Sequence, residues 1–171
     1  MILTGEFVTT PSLILLLLFA NDFVTMSLAA DRVRPSPRPD RWDVRAITAV
    51  GLGVATAWLL LTAVIFWIGR DALGFSVPQL QTLVFVTLVL TGYANVYLVQ
   101  ERHHFWASCP GRWLLVSSAA GVVVVGLLAT GGILMTALPV WVVPALLALV
   151  TVSLFALDQF KVAGTRVLGL G

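Results

Sequence analysis

Five apolar runs, each close to 20 residues, constrain this chain more than anything else in it; they lie at about residues 12–30, 46–68, 77–99, 113–135 and 139–157. An α-helix of that length crosses a hydrocarbon core about 30 Å thick. Backbone amides have no water to bond inside a bilayer, so only helices and closed barrels span it, and these runs lack the short alternation of barrel strands. The sequence therefore predicts an all-α fold: a polytopic membrane helical bundle of five transmembrane helices, forming a single transmembrane domain over residues 1–171. Composition agrees, with 59% hydrophobic and 11% charged residues and a mean hydropathy of +1.00. The first run does not read as a cleavable signal peptide, because its flank from Met1 to Pro11 carries Glu6 and no Lys or Arg.

The basic residues orient these spans. Arg32, Arg34, Arg38, Arg41 and Arg45 fall between the first two runs, Arg102 and Arg112 between the third and fourth, and Lys161 with Arg166 near and beyond the end of the fifth. Of the ten Lys and Arg residues, only Arg70 falls on the other side. The positive-inside tendency then places the N-terminus outside, the C-terminus in the cytoplasm, and cytoplasmic loops at about residues 31–45 and 100–112. The net charge of +2 reports this topology and gives no reason to expect nucleic-acid binding. Trp42, Trp67, Trp106, Trp113 and Trp141 lie near span ends, where interfacial aromatics belong, whereas Trp58 lies inside the second span.

Asp22, preceded by Asn21, interrupts the first run. An ionised Asp at the centre of a spanning helix costs roughly 2.5–3.5 kcal/mol on insertion scales, so such a residue usually faces a bundle interior or a wet cavity where a task can justify it. Ion handling is the functional reading of Asp22, and a tolerated polar contact between helices is the bland one. Tyr93 and Asn95 in the third run are further candidates to line the interior, with interfacial packing as the alternative.

With Cys109 as the sole cysteine, no disulfide can form within the chain, and stability must come from packing. Ala49, Gly53 and Ala57 form a small-xxx-small stripe on the second helix, and Gly121, Gly126, Gly131 and Gly132 thin the fourth, so neighbouring backbones can approach closely. Packing within the chain explains this better than a dimer face. Pro144 should kink the fifth helix or loosen its first turns. Asp158 and Lys161, three residues apart near the end of that helix, read as an ion pair rather than as a second ion site. His103, His104 and Cys109 lack a recognised ligand spacing, so no metal is expected.

The segment from Asp31 to Trp42 is the most specific string in the chain. Pro35, Pro37 and Pro39 fix φ and remove amide donors, so it should run extended as a short stiff connector. Composition alone reads it as a basic turn touching lipid headgroups, with docking to another protein domain as the alternative.

Taken together, Asn21-Asp22, Asp31-Arg32-Val33, Pro35-Ser36-Pro37 and Pro39-Asp40 before Trp42 resemble the sixth membrane helix and following loop of the P-type ATPases that pump protons across plasma membranes. The resemblance continues through Phe105 and Trp106 before Pro110-Gly111, and through Leu157-Asp158-Gln159-Phe160-Lys161, which is similar to the close of that family's tenth helix. It is dense over residues 5–45 and thin elsewhere, and it makes the five spans helices six to ten.

This resemblance implies that Asp22 takes up and releases the transported proton, with Asn21 beside it, and that Asp31, Arg32, Pro35, Pro37, Pro39 and Asp40 belong to a cytoplasmic docking loop. Burial disfavours the charged form of a carboxyl and a nearby cation favours it, so alternating exposure can couple conformational change to proton movement. The family hydrolyses ATP through an aspartyl-phosphate in an Asp-Lys-Thr-Gly string that this sequence lacks. No catalytic residue is expected in this chain, and ATP and magnesium are implied only for domains it does not contain. The expected function is the ion pathway of a cation pump, as a fragment or split subunit partnered by an N-terminal half, in the plasma membrane. The alternative is a non-enzymatic membrane interaction or scaffold protein, or an inactive residual fragment.

Overall fold

The computed structural model describes residues 11–29, 44–100 and 112–167. Within them the chain forms five α-helices: α1 (Pro11–Ala29), α2 (Val44–Trp67), α3 (Val77–Gln100), α4 (Arg112–Gly131) and α5 (Val142–Val167). A π-helical turn, Ile68–Ala72, extends α2. No strand occurs among the described residues. Four helical stretches are long and apolar enough to cross a membrane: Thr48–Ala72, Val77–Val99, Arg112–Gly131 and Val142–Ala163. The corresponding stretch of α1, Pro11–Met26, is apolar but shorter. These features make the chain an integral membrane protein in composition and architecture.

Helix ends follow local chemistry. Gly74, at φ +62°, turns the chain after the π-helical segment. Ser76 then precedes α3, and its backbone N–H and its hydroxyl both donate to Gln79 Oε1 at 3.0 Å, so the glutamine at the third helical position reaches back to the cap residue. α4 stops at Gly131, short of the expected end near residue 135, because Gly132 adopts φ +68° and the Ile133 and Leu138 amides turn back to the Leu128 and Ala129 carbonyls. α5 starts later than expected, at Val142, whose amide donates to Pro139 O at 2.9 Å. Pro144 consequently falls in the first turn, where its missing N–H leaves no helical bond unmade and no kink is needed.

α3 is the central helix, touching all four others. Around it, α2 meets α5, α5 meets α4, and α4 meets α1, while α1 and α2 make no contact among the described residues. Its buried side chains include Leu83, Phe85, Val86, Val89 and Leu90. With Val54 and Trp58 of α2, Leu114 and Val125 of α4, Leu146 and Val150 of α5, and Leu13 and Val24 of α1 they form one buried core. Lipid tails are as apolar as these side chains, so association must come from close packing and interhelical hydrogen bonds. The small residues serve that purpose within the chain. A Cβ at Gly53 would lie 3.1 Å from the Phe160 ring of α5, and one at Gly126 would lie 3.4 Å from Val143 Cγ1.

Hydroxyls tie the helices together. Thr82 Oγ1 of α3 donates to Thr136 O before α5 at 3.0 Å. At the other end of α3, Tyr97 Oη pairs with Ser118 Oγ of α4 at 2.5 Å. That end also holds Arg112 and Lys161, whereas Arg70 sits at the opposite end beside Asp71.

Candidate functional site

α1 is apolar nearly all round, and its neighbours decide which way its polar residues point. Leu13 and Val24 are buried, and Leu16, Leu17 and Ala20 pack against the core on the same side. The opposite face, at i, i+3, i+4 spacing, exposes Ile14, Leu15, Leu18, Asp22 and Met26. The Asp22 carboxylate is therefore exposed in the middle of an apolar surface, on the side turned from α3 and α4, and makes no hydrogen bond or ion pair with the described residues.

Asn21, one residue earlier, turns the other way. It is half-buried, and its Oδ1 occupies the space left by Gly92 of α3: a Cβ there would lie 2.5 Å from that oxygen. Tyr93 is buried, and its hydroxyl donates to Ala20 O of α1 at 3.3 Å. Gly121 of α4 clears the room for that hydroxyl, which a Cβ would strike. Asn95 lies on the exposed side of α3. The helix stays continuous through Asn21 and Asp22, although two successive carbonyls are engaged by side chains, Ala20 O by Tyr93 and Asn21 O by Thr25 Oγ1 at 2.9 Å. Asp31, Arg32, Pro35, Pro37, Pro39 and Asp40 lie outside the described residues, as do His103, His104 and Cys109.

A second carboxylate contrasts with the first. Asp158 of α5 is fully buried, with Lys161 Nζ 3.0 Å from its Oδ1. The ammonium also donates to Leu98 O of α3 at 2.9 Å, near the end of that helix where carbonyls lack intrahelical partners. This is the ion pair that the i, i+3 spacing predicted, but it joins two helices. Nothing in the sequence pointed to Leu98, because a backbone acceptor leaves no mark on residue type. Gly92 was likewise missed, although its place next to Tyr93 in an apolar span was a usable signal.

No family model matches the chain. Over 135 residues it is 27% identical to a protein of Methanocaldococcus jannaschii provisionally named a cation-transporting ATPase. The match covers 78% of this chain but 17% of that relative, so this chain spans only a small part of the relative's length. Together with the fold, this defines a membrane-spanning helical protein similar to part of a cation-transporting ATPase.

Proposed function

We propose that the chain is the transmembrane ion-pathway part of a P-type cation pump, that the transported ion is the proton, and that Asp22 is the group that carries it. The observation behind this reading is the placement of Asp22. A carboxylate exposed on an apolar helix face is costly in lipid unless other groups cover it or water reaches it. The outward face of α1 thus requires further helices or a wet path, supplied by the ATP-driven part of the pump, which would also hold ATP and magnesium. In that assembly Asp22 sits at a seam between this chain and the remainder, and domain movements that open and close the seam alternately hydrate and desolvate it. Protonation follows, because desolvation favours the neutral acid and hydration the carboxylate.

The plasma membrane is the proposed location, with the N-terminus outside. Cysteines placed at Ser36 and Ser108, with Cys109 removed, should then be shielded from an impermeant outside reagent that labels one at Ser76.

The functional test is proton uptake into sealed vesicles by a pump assembled from this chain and an ATP-driven N-terminal part. Asp22→Asn preserves shape and hydrogen bonding but removes the titrating proton, so coupled uptake should be lost, and Asp22→Glu should retain part of it. Wild-type coupling in the Asn variant would overturn the assignment of Asp22.

A further inference from the structure

We propose that Asn21, Gly92 and Tyr93 form a positioning seat that sets the rotation of α1 about its own axis, so that of two adjacent polar residues the amide enters the bundle and the carboxylate is presented outward. The functional consequence rests on the reading of Asp22 as the ion-carrying group, but the seat itself is a matter of packing.

Two successive residues of α1 are held by two successive residues of α3. The Asn21 amide oxygen fills the gap over Gly92, where a methyl group would come within 2.5 Å, and the Tyr93 hydroxyl reaches Ala20 O at 3.3 Å. Gly121 of α4 leaves the tyrosine ring that position. Neighbouring residues on an α-helix point about 100° apart, so holding Ala20 and Asn21 against α3 turns Asp22 away. Val24, almost wholly buried, anchors the same side one turn on.

Charge explains why the amide takes the seat. α3 contains no Lys or Arg, and the only basic residue of α4 is Arg112 at its start. A carboxylate rotated into the seat would lose solvation with no cation from either helix to pair with, whereas a neutral amide is far cheaper to bury. Asn21, Gly92 and Tyr93 are therefore positioning residues for Asp22.

Spin labels test this in the full chain in lipid nanodiscs, with Cys109 replaced by Ser. One label goes at Leu18, exposed on the same face as Asp22, and one at Val64, exposed on α2. A rotation by one residue step, about 100°, carries a side-chain tip by about 8–9 Å, given a helix about 10–12 Å across, which electron–electron distance measurements resolve. Gly92→Ala should shift the distance distribution by several ångströms, and adding Asn21→Ala should restore it by making room for the methyl group. A folded Gly92→Ala protein with the wild-type distribution, or a double variant that stays shifted, would overturn the seat. Should Gly92→Ala fail to insert, Asn21→Ala with Tyr93→Phe decides, since it removes both contacts without adding atoms. A broadened or displaced distribution supports the proposal, and an unchanged one overturns it. These distances report the rotation of α1 whether or not Asp22 carries an ion, so failure here and failure of the transport assay are separate results.

Discussion

Asp22 on α1 and Asp158 on α5 each place a carboxylate on an apolar helix, yet Asp158 is fully buried beside Lys161, whereas Asp22 is exposed and unpaired among the described residues. The Asp158 region is fastened by charge: Lys161 bonds both the carboxylate and the Leu98 carbonyl, pinning the end of α3 to α5. The Asp22 region is fastened by close packing around Gly92 and Gly121, with the charge left outside. Within one chain a buried carboxylate of this kind is structural, because its partner travels with it on the same helix. An exposed one on an apolar helix has no such local partner among the described residues, and on the proposed reading the groups that lower its cost come from the remainder of the pump.

Substitutions in the isolated chain sharpen this contrast. The largest effect belongs to Lys161→Met, which leaves Asp158 buried without its ammonium; removing one member of a buried pair costs about 3–5 kcal/mol, and thermal or denaturant unfolding in detergent should reveal it. Adding Asp158→Asn to that variant should recover much of the loss, and a Lys161→Met protein of wild-type stability would end the view that charge holds this region. Next comes Gly121→Ala, which drives a methyl group into the Tyr93 hydroxyl and should destabilise by about 1–3 kcal/mol, the usual cost of overpacking. Its control is Gly51→Ala, where nothing lies within 4 Å of the added carbon; the change should be neutral or favourable by up to about 1 kcal/mol, since alanine restricts the unfolded backbone. If the two glycine variants behaved alike, close packing on the α1 side would lose its support. The smallest effect is expected for Asp22→Asn, within about 0.5 kcal/mol in the same unfolding measurement, because the carboxylate has no partner among the described residues to lose. A large loss of stability there would mean that Asp22 is structural, as Asp158 is.

Much of this was legible along the chain. The runs at about residues 46–68 and 77–99 became α2 and α3 because a bilayer's thickness and its lack of water leave an apolar stretch of that length one economical backbone, the helix. The Asp158–Lys161 pair was legible for a related reason: three residues apart on a helix is a local distance. Hydropathy alone overruns the end of α4 because it continues past the Gly131-Gly132 break, and the choice for Pro144 between kinking α5 and loosening its first turns depends on a helix start that lies only two residues before it.

Length, composition and local spacing therefore determined that this is an all-helical membrane protein, roughly where its apolar helices fall, and which few residues carry polarity inside them. Only the tertiary structure decided that Asn21 points inward and Asp22 outward, that Tyr93 is buried while Asn95 is exposed, and that Lys161 reaches across to Leu98 O. The physical reason is that α1 is apolar nearly all round, so hydropathy cannot tell a face that meets another helix from one that meets lipid. Rotation is chosen instead by where neighbouring backbones leave room, at Gly92 and Gly121, and that is a property of three helices at once.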